Sequence, residues 1–281
     1  MKPYILLTND DGIHSPGLAA LAQVMDPIGE LLIVAPNEQQ TSMSRSRTQK
    51  TGGDGTITKT TVKTETQSWP GYAVKATPAL TVEHAVVELA SRDISLVISG
   101  INFGENVGSC VTVSGTIGAA IEAAELGLPV LAVSQEIASV DYHTYSTDVN
   151  FSVSAHFTKL VAEKVLQGSL PFDADILKLE IPLGATEETK LVVTRQDRQR
   201  YYTPIIEDRS ELFGTPTKVS YKPEKGSYSR RDTDSYAMAQ GWVSITPLSL
   251  DLTSRIPLQE LAEMLDISTL TTGDDYYGNN T

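Results

Sequence analysis

Two adjacent carboxylates, Asp10 and Asp11, sit in the run Thr8-Asn9-Asp10-Asp11-Gly12, directly after the apolar stretch Tyr4-Ile5-Leu6-Leu7. Carboxylates with so little room to separate repel each other unless a cation lies between or beside them, so the pair points to a bound hard metal ion. Asn, Asp and Gly are also turn formers, and an ordinary Asn-Asp-Asp-Gly turn accounts for the same letters. Two further segments place oxygen-bearing side chains after apolar runs: Asn37 to Ser42, which includes Thr41, and Ser99 to Asn106, which includes Asn102. The inventory is carboxylate, hydroxyl and amide oxygen, with one cysteine and four scattered histidines. That set suits Mg²⁺, Mn²⁺ or Ca²⁺ rather than zinc. Ser114-Gly115-Thr116 opens a helical pattern, and its free N–H groups and two hydroxyls suit a phosphate, or else an ordinary N-cap. Of the histidines only His14, three residues beyond Asp11, stands near these groups.

Other chemistries lack their signatures. The chain has no Gly-x-Ser-x-Gly elbow and no Walker loop, and Gly100, Gly104 and Gly108 do not have the dinucleotide spacing. Asp232-Thr233-Asp234 has no apolar strand before it and reads as a turn.

Positioning such groups requires strands that end together. Tyr4–Leu7, Leu31–Ala35, Ser95–Ser99 and Pro129–Ser134 are short, rich in Leu, Ile and Val, and read as strands buried on both faces. Pro16–Met25, Ala79–Ala90 and Thr116–Leu126 carry helical spacing between them, a rhythm of βαβ units and a parallel sheet. Ligands bind such sheets outside the carboxyl ends of the strands, where the polar segments fall. Thr48–Gln67 reads as a hairpin around the glycines 52, 53 and 55, or as a flap. A helix over 149–166, a strand at Ile176–Ile181, a returning strand at Gly241–Leu248 and a helix at Leu258–Leu265 follow. The segment 191–240 lacks a clean apolar period and is expected to project from the core, and 271–281 is expected to fray.

The 281 residues, 40% of them hydrophobic, suffice for a full core. A net charge of −13 argues against a nucleic-acid duplex or an anionic membrane surface as partner. The lone Cys110 excludes an intrachain disulfide and reads as an apolar filler in a reducing compartment. No apolar stretch is long enough to span a bilayer, and the N-terminus lacks a signal-like pattern; the expectation is a cytoplasmic protein.

Taken in order, Thr8-Asn9-Asp10-Asp11-Gly12 with Pro16-Gly17, Ala35-Pro36, Ser99-Gly100-Ile101-Asn102-x-Gly104-x-Asn106, Ser114-Gly115-Thr116 and Thr233-Asp234-x-x-Ala237 with Gly241-x-Val243-Ser244-Ile245-Thr246-Pro247-Leu248 strongly resemble the SurE family of metal-dependent survival-protein phosphatases. The resemblance implies an α/β fold: a Rossmann-like three-layer core with a mainly parallel sheet, plus a C-terminal projecting β-hairpin or swapped segment. Residues 1–140 would form the catalytic core, and 141–281 would complete it and carry an oligomerisation arm at about 191–240 for a homodimer or homotetramer. It implies 5′(3′)-nucleotidase activity on nucleoside monophosphates, with polyphosphate a further substrate of some members. One divalent ion per subunit, Mg²⁺ or Mn²⁺, would be held by Asp10, Asp11, Thr41 and Asn102, with Ser42 the neighbour able to replace Thr41. Asn9, Asn106, Ser114, Gly115 and Thr116 match phosphate-contact positions. Asp10 and Asp11 carry the catalytic role, as metal ligands or with one acting as base or nucleophile. The chain departs from the family at Ala76-Thr77-Pro78, in place of Gly-Thr-Pro, and at Ala79 and Leu80, where polar residues are usual; substrate preference is left open. The competing functions are a nucleotide-binding module with little turnover and an exopolyphosphatase or broad acid phosphatase.

Overall fold

A computed structural model describes residues 2–49, 53–138, 149–226 and 228–269. In chain order its strands are β1 (Tyr4–Thr8), β2 (Glu30–Pro36), β3 (Ile57–Lys63), β4 (Ser68–Val74), β5 (Leu96–Phe103), β6 (Val130–Gln135), β7 (Ile176–Ile181), β8 (Leu191–Val193), β9 (Tyr202–Ile206), β10 (Val219–Pro223) and β11 (Val243–Leu248). The helices are α1 (Pro16–Met25), α2 (Pro78–His84), α3 (Gly115–Glu125), α4 (Ser152–Gln167), α5 (Asp234–Ala239) and α6 (Leu258–Leu265). Residues to Leu250 form one unit, and a second begins at Asp251, its described part carrying α6.

Among the described residues nine strands make one sheet in the order β3-β4-β2-β1-β5-β6-β7-β11-β8, parallel from β4 to β7. All five β1 residues are buried, as a strand covered on both faces requires. Ile5 and Leu7 pack with α1 and α4, whereas Leu6, Val34 and Val97 pack with α2 and α3. Strand alternation thus builds a three-layer α/β sandwich. From β1 the chain moves outward to β2, and from β5 it moves the other way through β6 and β7. The β1/β5 boundary is therefore the switch point, where a crevice opens at the carboxyl ends.

Some local expectations are corrected. The hairpin is β3 and β4, paired antiparallel from Ile57↔Val74 to Lys63↔Ser68. Its turn is 64–67, closed by Thr64 and Gln67, and Gly53 and Gly55 precede it. The second helix starts at Pro78 and ends in a wider π turn at Ala85–Leu89. Asp232-Thr233-Asp234 is not simply a turn: Thr233 caps α5 by accepting from the Tyr236 N–H, and Asp234 begins the helix. Along 191–240, β8 joins the main sheet beside β11, and only β9 and β10 form a separate antiparallel pair. The expected fraying of 271–281, and the boundary between 140 and 141, lie outside the described residues. No helix among those described is long and apolar enough to cross a membrane.

Candidate active site

β1 ends at Thr8, and Asn9 fixes the turn that follows. Its side-chain amide donates to the Gly12 carbonyl at 3.1 Å and accepts the Gly12 N–H at 3.0 Å. Gly12 has a φ of +97°, which side-chain-bearing residues rarely adopt. Asp10 and Asp11 project from this pinned turn and are buried, 3% and 7% exposed. Asp10 rests on the start of α3: the Thr116 hydroxyl donates to its Oδ1 at 2.5 Å, and the Gly115 and Thr116 amides favour its ionised form. Asp11 Oδ2 accepts the Phe103 N–H at 3.0 Å, which ties it to the end of β5. Burial pushes the Asp10 carboxyl up to about 6 against those donors. Burial, with the Asp10 charge beside it, holds Asp11 well above the usual carboxylate range. Among the described residues no lysine, arginine or histidine acts on either carboxylate as a charge partner.

Asn102 reaches the same end of the sheet through an irregularity. The β5/β6 register shifts between Ser99 and Asn102, and such bulges re-aim a side chain. The Asn102 Nδ2 donates to the Gly104 carbonyl at 2.7 Å. Thr41 lies on the loop after β2, next to Gln40, whose N–H donates to the Asp10 carbonyl at 2.7 Å. Thr41 and Ser42 are both exposed, and Ser42 has a φ of +61°. This loop is fastened to α3 and the residues just before it: the Ser44 N–H donates to the Val113 carbonyl at 3.1 Å, and a β-carbon on Gly118 would lie 1.9 Å from the Ser44 carbonyl oxygen. Arg45 and Arg47 close the fastening on buried Glu122, at 2.8 and 2.7 Å. Thr77 adds a bond from its hydroxyl to the Ser46 carbonyl at 2.6 Å while capping α2. Ala76 and Ala79 are buried, so the departure from Gly-Thr-Pro is filled by packing residues.

The structure therefore brings Asp10, Asp11, Gly115 and Thr116 into one cluster, to which the backbones of Phe103, next to Asn102, and Gln40, next to Thr41, are bonded. Ser114 acts as N-cap, accepting the Ile117 N–H at 3.2 Å. The Asn9 amide is engaged in its own turn, and His14 is exposed. Asn106 is buried, its Nδ2 donating to Ser134 Oγ at 3.0 Å.

Sequence reasoning missed a buried charge cluster beside Asn106. Lys178, Glu180 and Asp234 are fully buried, with Lys178 Nζ 2.9 Å from Asp234 Oδ2 and 3.5 Å from Glu180 Oε1. The available signal was Ile-Leu-Lys-Leu-Glu-Ile, two charges on one face of a strand whose both faces are covered. Burial holds the Glu180 carboxyl up at about 7, against an ordinary 4.5, although Lys178 pulls it down. Between those values the folded chain keeps a proton that the unfolded chain has released, so stability falls as pH rises through this window. Glu180→Gln lacks that penalty. Its stability relative to wild type is expected to rise between pH 4.5 and 7, by about 3 kcal/mol in all, and then to level off. Urea unfolding at pH 5 and pH 8 measures it, and a difference unchanged between the two would rule out Glu180 as the titrating group.

The profile of a family described as Survival protein SurE matches residues 5–203, a span that contains both aspartates, the Thr41 loop, Asn102 and the start of α3. The chain belongs to the SurE family. The 5′-nucleotidase SurE of Thermococcus gammatolerans is 37% identical over 282 residues, covering 97% of this chain and 99% of that protein. The 5′-nucleotidase SurE of Methanocella arvoryzae is 40% identical over 272 residues, covering 90% and 94%. The crystal structure of the SurE protein from Aquifex aeolicus aligns with a TM-score of 0.72 at 31% identity, over 94% of this chain and all of that one (100%). The SurE match extends through β7, and so includes the buried Lys178 and Glu180.

A hard divalent cation fits this cluster. Two buried, adjacent carboxylates repel each other with no cationic side chain paired to them among the described residues, and the side chains the sequence offers beside them, Thr41 and Asn102, carry oxygen. Among the described residues no three carboxylate, imidazole or thiol groups converge, so any such ion draws on hydroxyl and amide oxygen as well.

Proposed function

We propose that this SurE family member is a divalent-metal-dependent 5′-nucleotidase that hydrolyses nucleoside monophosphates to nucleoside and phosphate, with 3′-monophosphates accepted at the same site. The observation that carries the reading is the buried pair Asp10 and Asp11, paired with no lysine, arginine or histidine among the described residues, with Asp10 against the start of α3. One Mg²⁺ or Mn²⁺ per subunit would be held by Asp10, Asp11, Thr41 and Asn102. Bound there, such an ion polarises a phosphoryl oxygen and lowers the pKa of an attacking water. The chain's own groups do the rest. The Ser114 hydroxyl and the Asn106 side chain hold the phosphoryl oxygens as charge spreads over them, the Gly115 and Thr116 amides keep Asp10 against the helix start beside that phosphate, and Asn9 keeps the aspartate turn in place.

Phosphate release from nucleoside 5′- and 3′-monophosphates, with polyphosphate alongside, tests this in Mg²⁺, Mn²⁺ or EDTA. Metal-dependent release supports the reading. Tight nucleotide binding without release in any metal would overturn it in favour of a binding module. Thr41 and Ser42 separate by metal titration: Thr41→Ala is expected to raise the metal concentration needed for half-maximal activity by more than about tenfold, with Thr41→Ser close to wild type. Ser42→Ala is expected to leave it unchanged; the reverse pattern assigns Ser42.

A cytoplasmic homodimer or homotetramer belongs to the same proposal. The assembly is supported by the β9–β10 hairpin, which exposes Ile205, Ile206 and Val219, with Leu212 and Phe213 in its loop. Ile206→Asp combined with Phe213→Asp is expected to lower the mass seen by light scattering, and an unchanged mass removes the hairpin from the assembly.

A further inference from the structure

We infer that Lys178 and Glu180 are positioning residues for the substrate phosphate, acting by gripping both backbone groups of Asn106. The inference rests on the phosphate role given to Asn106 above. Lys178 Nζ donates to the Asn106 carbonyl at 3.0 Å, and Glu180 Oε2 accepts the Asn106 N–H at 2.9 Å. The two residues sit two apart on β7, so they face one side of the sheet together. Asp234 completes the grip: it accepts from Lys178, its Oδ2 takes the Gly108 N–H at 3.1 Å, and its Oδ1 takes the Asp197 N–H at 2.8 Å. The loop that carries Asn106 is thus held at Asn106 and Gly108 by charges from β7 and α5.

Stability does not explain such a cluster. Replacing a buried ion pair by well-packed apolar residues is often neutral or favourable, so one lysine and two carboxylates fully buried together call for a geometric role. A loop of this kind has soft backbone torsions, and fixing the N–H and the carbonyl of one residue removes most of that freedom. Its side chain is then carried to one place: Asn106 Nδ2 meets Ser134 Oγ on β6, the strand next to β5. The charged and polar groups that act on Glu180 are Lys178, Asp234, Glu105 and the Asn106 backbone.

The test is a double-mutant cycle. Glu180→Leu removes the acceptor and leaves Lys178 paired with Asp234, whereas Glu180→Gln keeps an acceptor oxygen. Glu180→Leu is expected to lower kcat/KM for AMP with Mg²⁺ by about 10- to 100-fold, mainly through KM, with Glu180→Gln retaining most of the activity. In an Asn106→Ala background Glu180→Leu is expected to cost nothing further. Thermal melts confirm that each variant is folded, and AMP affinity is measured on the same set by calorimetry. Equal losses in both backgrounds, no loss in folded Glu180→Leu, or Gln as damaging as Leu would overturn the inference while leaving metal-dependent hydrolysis intact. A wild type that binds AMP without releasing phosphate overturns the nucleotidase instead, and the same cycle is then read in affinity. A wild type that does neither overturns both.

Discussion

Asp10→Asn is expected to lower phosphate release by on the order of 10³-fold or more. Losing a group that merely orients a metal ligand costs about 10- to 100-fold, and Asp10 is itself the charged donor. It also sits where the amides of Gly115 and Thr116 converge, so the change weakens the metal site and its link to α3 together. Stability should respond in the opposite sense. Without metal, the wild-type chain keeps two neighbouring carboxylates out of water, and Asp10→Asn relieves that burial and the repulsion of Asp11. The metal-free variant is therefore expected to melt at or above metal-free wild type, while added Mg²⁺ or Mn²⁺ stabilises it far less than it stabilises wild type. Near-normal turnover in Asp10→Asn would remove the acidic pair from the chemistry.

Gly115→Ala is expected to be the second most damaging change. Elsewhere in a helix Gly to Ala is stabilising by about 1 kcal/mol. Here the new β-carbon would lie 2.6 Å from Asp10 Oδ2 and 2.7 Å from Asp10 Cβ, well inside contact distance. Either Asp10 or the first turn of α3 must move by about 1 Å, and a misplacement of that size costs roughly 100-fold in rate. A folded Gly115→Ala protein with wild-type kcat/KM would show that the approach of Asp10 to α3 does not matter for turnover. The pair of variants separates two roles: one removes the carboxylate, the other keeps it and shifts it.

Much of this site is legible in the amino-acid sequence alone. Short apolar runs such as Tyr4-Ile5-Leu6-Leu7, each followed by a polar loop, encode strands and their exits locally, because burial on both faces of a strand demands such a run. Asp10, Asp11 and the Ser114-Gly115-Thr116 helix start are legible for the same reason: each is a local pattern with its own chemistry. The β3–β4 turn misleads because glycines at 53 and 55 look like the stronger turn signal, yet cross-strand pairing from Ile57↔Val74 puts the reversal at 64–67.

By itself, then, the sequence determined the α/β class, the adjacent carboxylates and the helix start at Ser114-Gly115-Thr116, since these follow from side-chain period and residue type within a few positions; that Asp10 meets this helix start is tertiary. The tertiary structure decided everything that depends on a distant partner. The register shift that re-aims Asn102 needs β6 beside β5. The fastening of the Thr41 loop needs Gly118 and Glu122 on α3. Burial of Lys178 and Glu180 on β7 needs Asp234, brought from 56 residues away. Hydrophobic periodicity says which face of an element is covered but not by what, and for a buried charge the identity of the cover decides whether it is a defect or a clamp.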